Sequence, residues 1–450
     1  MNQNLNKLES EKQYIDIYAQ CRDMINNHSN RVMNSLREKA FEDFKRQGFP
    51  TRKVERYKYT NMAELFAPDY GLNLSRLEIP VNPYDAFKCD VPNMSTSLYF
   101  VVNDAFYDKA LPKAELPEGV FVGRLADAQD KVSDFYGKLA DTSEDAITAL
   151  NTMLAQDALL IYVPKNVKVD RAIQVINILR SDVELMVNRR VLIILEQGAD
   201  AKVLFCDHAA DDRKFLATQV VEVFVGENAH LDMTCLEETH YKNVRVSNVY
   251  IDQKANSRVD HNVITLHNGV TRNRTDLVFS GEGAECYMNG CVIADKEQRV
   301  DNNTLIDHKV PHCDSHELYK YVLDNKAVGA FTGKVLVRNE AQKTNSQMTN
   351  QNLCATKEAR MYTQPMLEIY ADDVKCAHGS TVGQLNDKAL FYMQQRGISL
   401  EEARTLLQNA FIGEVIDRIQ VEPLRDRLRH LVEKRFRGEL NKCEGCKLCK

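Results

Sequence analysis

With 450 residues the chain can bury a sizeable core and should hold two or three folding units, at roughly 150 residues per domain. Charged residues make up 27% and the net charge is −6 with both signs mixed, which excludes a broad basic field for nucleic acid or anionic lipid. No apolar run approaches the roughly 20 residues of a membrane helix, and the polar start MNQNLNKLESEKQYIDIYAQ lacks a signal-peptide layout, so a cytoplasmic protein is expected.

From about residue 5 to 47 the pattern predicts helix. Val32, Leu36, Ala40 and Phe44 recur every fourth position, and Gly48 with Pro50 beyond it supplies the stop. The next hundred residues mix short apolar runs such as SLYFVVND with loops, and SEDAITALNTMLAQ, Ser143 to Gln156, predicts one more helix. From about Leu159 the texture becomes short runs of β-branched and aromatic residues, among them ALLIYVP, RRVLIILE and TQVVEVFV. Only a few polar or glycine-containing residues separate them, which excludes βαβ winding. A faint period runs through this region: aligning ILEQGADAKV, VFVGENAHLD, YIDQKANSRV and VFSGEGAECY places a small residue at Ala201, Ala229, Ser257 and Ala284. Coils of roughly 28 residues are too small to bury their own apolar face and must stack, as in a parallel β-helix, whereas a propeller blade needs roughly 40.

After residue 385 the pattern is helical again. Ser399 with Glu402 forms a capping box ahead of Ala403, Leu406, Leu407, Ala410, Phe411 and Val415, and Pro423 opens a last charged helix. The expected organisation is mainly β: an N-terminal α-rich mixed region over 1–157, a parallel β-helix core over 158–385, and a C-terminal helical region with a cysteine-rich tail over 386–450.

Few motifs carry chemistry. GAFTGKV at Gly329 to Val335 is one residue short of a phosphate loop and lacks its Ser or Thr, so no ATPase site is indicated. DHKVPHCDSHE spaces His308, His312 and His316 by four with Cys313 among them, but Pro311 rules out a helical metal-binding face. Metal ligation at His308 and His312 and scattered structural histidines both remain open. Nine of the twelve cysteines stand singly between Cys21 and Cys376, as reduced thiols do. In DDVKCAHGSTVGQ, Cys376 and His378 fall on one face of an extended strand and Lys375 on the other. Thiolate and imidazole together suit iron, zinc or copper(I), but two ligands are too few, so a site here needs a partner chain. A buried cysteine beside a backbone-tied histidine is the other reading. The tail NKCEGCKLCK places Cys443, Cys446 and Cys449 at the spacing of three ferredoxin-type ligands, either for metal bound in trans or as a thiol tail.

The runs NNTLIDHKVPHCDSHELYKYVLDNKAVGAFTGKVLV, AQKTNSQMTNQNL, PMLEIYADDVKCAHGSTVGQL and LFYMQQRGISLEEARTLLQNAF resemble the SufB/SufD family of iron–sulfur cluster assembly proteins, over about residues 300 to 420. GFPTRKVERYKYTNM resembles the SufD type, with Tyr57 where a Trp is more usual, and Gly379 follows His378 where SufB-type chains tend to be acidic. The resemblance implies a right-handed parallel β-helix flanked by helical regions, in a non-catalytic scaffold subunit that joins a SufB-like protein. A SufC-like ATPase would dock on the C-terminal helical region. It also implies that Cys376 and His378 lie at the SufB interface as a cluster or iron site. The iron–sulfur cluster would be transient and shared with the partner, with none in the isolated chain; alone, the chain could form a homodimer, a state the sequence leaves open. The competing class is a β-helix enzyme acting on carbohydrate, which would need a line of Asp or Glu along stacked coils.

Overall fold

Residues 8–83, 96–109 and 116–439 are described in a computed structural model. The first helical stretch is two helices, Glu9–Asn27 and Arg31–Gln47. The break falls at Asn30, which is extended and accepts a hydrogen bond from the Met33 amide at 3.0 Å, so an N-cap restarts the helix. Gly48 ends it at φ 63°, an angle at which a side chain is strained. The next long helix, Ala146–Leu154, is capped by Asp145 and buried at every position. Tyr14, Phe44, Leu150 and Met153 pack with Met186, Leu216 and Val246, so the N-terminal helices cover the outer face of one sheet.

The β region is a parallel solenoid of about eight turns, flanked by N-terminal and C-terminal helices. Successive strands alternate between two ten-stranded sheets, so each coil contributes one strand to each. In the second sheet one file reads Asp200, His230, Arg258, Glu285, Asp314, Asn345 and Lys375, steps of 30, 28, 27, 29, 31 and 30 residues. The period expected from the sequence is therefore present, with one change of register. Ala199, not Ala201, lies under Ala229, because that coil is two residues longer than the 28 assumed. Ala199, Ala229, Ser257, Ala284 and Cys313 form a buried file at a corner of the solenoid. Each follows a residue in the left-handed region, namely Gly198, Asn228, Asn256, Gly283 and His312. A sharp corner accounts for both features, since the backbone needs positive φ and leaves little room for the next side chain.

Strand Thr96–Val102, from within the segment read as N-terminal region, pairs with Ala172–Leu179 and extends the second sheet. At that end antiparallel pairs close the sheets, Ala105–Phe106 on Thr96–Val102 and Phe121–Arg124 on Leu159–Val163. At the other end Arg360–Ile369 and Lys375–Gly383 are the last strands, with no strand beyond them among the described residues.

The interior is apolar, with Ile161, Ile193, Val223, Leu231, Met288, Phe331 and Met348 in contact along the axis. It also holds a polar file. Asp207 pairs with Arg189 at 2.7 Å and Arg245 at 2.9 Å, and Arg245 donates to Asn273 at 2.6 Å. Asn273 donates to Asn302, and Asn302 to the Tyr321 hydroxyl. Such a network is costly unless every coil stacks in one register, so it specifies that register.

The helices Asp387–Gln395, Leu400–Ile416 and Glu422–Phe436 fold back over the second sheet. Ser399 accepts from the Glu402 amide and Pro423 stands in the first turn of the last helix, as expected. Ile412, Ile416, Leu424, Leu428 and Val432 bury against Leu204, Leu236, Ile264, Leu318 and Val322, each contributing about 1.5–3 kcal/mol. Among the described residues no helix is long and apolar enough to cross a membrane.

Candidate functional site

Lys375–Gly383 pairs along one edge only, with Asn345–Cys354, where Cys376 stands on Ser346 and His378 on Met348. Ser346 and Met348 are buried in the coil below. Cys376 and His378 share their parity, but among the described residues no coil lies above them. The alternation that buries a side chain elsewhere therefore leaves this pair at the open end: Cys376 is half-buried against the interior cluster, and His378 is exposed. Partial burial raises the Cys376 thiol above its ordinary value, and the Ser346 backbone amide beside it pulls the other way. At Gly379 an added Cβ would meet nothing within 4 Å, so the strand has room on that side for another chain.

A thiol and an imidazole form a donor set that fits iron, zinc or copper(I). Among the described residues no group of three or more His, Cys, Asp or Glu could hold a metal ion. Two donors are too few for a closed metal site, so among the described residues the pair could hold a metal only with further ligands.

The remaining sequence candidates separate. His308 is buried, its Nε2 2.9 Å from Ser315 Oγ and its ring 4.6 Å from that of Phe279, and burial pushes its pKa down to about 3. His312 is the exposed left-handed residue at a solenoid corner, a conformation that His tolerates. His316 lies on the outer face, stacked on Tyr287 at 5.1 Å. The three histidines thus occupy three different environments, buried, at a corner and on the outer face, and among the described residues they form no group of three or more that could hold a metal ion. Cys443, Cys446 and Cys449 lie outside the described residues. Gly329 to Val335 is the middle of strand Val328–Val337, with Lys334 paired to Glu368, and forms no phosphate loop. Asp232 and Asp260 do stack on neighbouring coils, but they are buried. Asp260 is held by Arg258 and His230, and burial with the Asp260 charge pushes Asp232 up to about 6. Neither is open to a polymer chain.

Two features escaped the sequence reading. Ser346 and Met348, directly beneath the pair, become visible only once the pairing register is known. The C-terminal helices expose Phe391 at 62% and Tyr392 at 58%, an apolar surface on the outward side. The adjacent aromatics of ALFYM are its one sequence signal.

The fold and the terminal pair define a helix-flanked parallel β-solenoid whose last described strand carries a cysteine and a histidine at an open end. Comparison with known families gives the same class in sharper form. Residues 178–411 match the SufBD core domain of the SUF system for iron–sulfur cluster assembly, and residues 8–175 match the SufBD protein N-terminal region. The chain belongs to the SufB/SufD family and is SufD-like, with a role in iron–sulfur cluster assembly. It is 29% identical over 398 residues to the iron–sulfur cluster assembly protein SufD of Escherichia coli, covering 87% of this chain and 90% of that one. It is 26% identical over 452 residues to a SufBD family protein of Synechocystis, covering 96% and 97%. To the SufD protein of Bacillus subtilis it is 23% identical over 418 residues, covering 90% and 94%.

Proposed function

We propose that this chain is a non-catalytic scaffold subunit that builds iron–sulfur clusters together with a SufB-like protein and a SufC-like ATPase. The cluster is cargo: it forms transiently where the SufB-like partner meets the open end of the solenoid, and Cys376 and His378 contribute part of its ligand shell. The observation that carries this reading is the placement of a thiol and an imidazole on the last described strand, where one edge is unpaired and the pair is only partly covered. Parallel strand edges left open are ready to pair with another chain, and a second copy of this chain would serve when the partner is absent. The isolated chain, with two ligands, holds no stable cluster.

The SufC-like ATPase docks on the exposed apolar surface of the helices Asp387–Gln395 and Leu400–Ile416. Lys320, in strand Asp314–Leu323, supports a mechanical link, since it bonds the Phe411 carbonyl at 3.0 Å and pairs with Glu414 at 2.5 Å. Movement of the ATPase would reach the coils just below Cys376 along this route. The test is co-expression with SufB-like and SufC-like partners, followed by reconstitution with iron and sulfide. Cys376→Ala and His378→Ala should each lower the cluster content of the complex, and wild-type content in both would refute the role.

A further inference from the structure

A chain of buried donors runs beneath the open end. In the second sheet, Ser315, Ser346 and Cys376 occupy one inward file on successive coils. Ser315 donates its hydroxyl to Ser346 Oγ at 2.8 Å, and His308 Nε2 lies 2.9 Å from Ser315 Oγ. The Ser315 hydrogen is directed at Ser346, and the Ser315 oxygen also faces His308 Nε2, so the buried imidazole braces Ser315 in place. The other ring nitrogen faces Thr344 Oγ1 at 3.5 Å, and Thr344 gives its own hydrogen to the Ala341 carbonyl. His308, Ser315 and Ser346 are 0%, 1% and 2% exposed, so water does not compete with these bonds. Ser315 points its hydrogen toward the terminal strand, and Ser346 is left with one hydroxyl hydrogen to give.

Above Ser346 stands Cys376. A neutral thiol is a weak acceptor, but a sulfur bound to iron carries negative charge and accepts strongly. We propose that Ser346, aimed by Ser315 and His308, is a positioning residue that donates a hydrogen bond to the Cys376 sulfur when that sulfur ligates the iron of the cargo. The proposal rests on the reading of Cys376 as a cargo ligand. Donors behind a metal ligand typically set metal affinity by about 10–100-fold, and hydrogen bonds to sulfur tune the bound iron.

The test uses the full chain in complex with its SufB-like and SufC-like partners, reconstituted with iron and sulfide, with thermal unfolding recorded for each variant. Ser346→Ala should release iron to a competing chelator about 10–100-fold more readily and shift the sulfur-to-iron charge-transfer absorption to longer wavelength. Ser346→Thr, which keeps the hydroxyl, should restore both. If Ser346→Ala does not fold, Ser315→Ala removes the group that aims Ser346 and should move the absorption in the same direction. Wild-type absorption and iron retention in the folded alanine variant, with Cys376→Ala still losing cargo, would overturn the donor chain alone. Wild-type behaviour of Cys376→Ala would overturn the reading beneath it.

Discussion

Arg435 is the anchor of the last helix on the solenoid, and its replacement by Met should loosen that helix selectively. The guanidinium is 4% exposed. It donates to the Leu266 carbonyl at 2.7 Å, to both Asp295 oxygens at 2.8 Å, and to Gln298 Oε1 at 2.9 Å. Burial works to raise the Asp295 pKa, but the Arg435 bonds outweigh it and hold the carboxyl below its ordinary value. Met fills the aliphatic space while leaving that carboxylate unpaired, a loss of about 3–5 kcal/mol for a fully buried pair. The Asp295 side chain is 24% exposed, so water repays part of the loss and about 3 kcal/mol is expected. That corresponds to roughly a hundredfold rise in the open fraction of Glu422–Phe436, readable as faster amide hydrogen exchange there with little change in the N-terminal helices. Exchange within about threefold of wild type would refute the anchor. The same bond should weaken in acid: a depressed carboxyl pKa contributes stability above its unfolded value and loses it as pH falls through the folded one.

Glu317 lies inside the solenoid, where burial pushes its pKa up to about 8 from 4.5, against a smaller opposing effect from the Thr304 hydrogen bond. The folded state therefore holds a proton that the unfolded state releases, and stability should fall between about pH 4.5 and 8; Glu317→Gln should remove that slope and melt higher than wild type at pH 8 but not at pH 4. Gly290→Ala would drive a methyl to 2.1 Å from the Tyr319 ring and should lower the melting temperature by a few degrees, a cost of about 1–3 kcal/mol, whereas Gly379→Ala, with open space at its Cβ, should leave the isolated chain's melting temperature unchanged. Phe391→Ser should leave folding intact and weaken capture of the SufC-like ATPase by about tenfold or more, measured by titration calorimetry.

Much of this architecture could be read from residue pattern alone. The run from Val32 to Phe44 with Gly48 after it marks a helix and its stop, because both signals are local. Asn30 carries no such local signal, because a polar residue between two helical patterns looks like part of one long helix until its side chain caps the second. The coil period survived a two-residue error at Ala201, since small residues at a corner recur even where coil length varies between 27 and 31. The polar file from Asp207 to Tyr321 left no trace in the sequence: inward polar residues break the alternation that identifies a strand, and only their partners on other coils satisfy them. Cys376 and His378 could be assigned to one face from their spacing. That this face is open depends on Lys375–Gly383 being the last strand, a fact of topology rather than of local sequence.

The most direct test of the central claim compares the chain alone with the complete complex, by iron and acid-labile sulfide content after identical reconstitution. Wild-type chain alone should retain no stable cluster at its solenoid end, while the complex with SufB-like and SufC-like partners retains one that is diminished in both Cys376→Ala and His378→Ala. A complex in which the double variant assembles cluster as fully as wild type would contradict the account.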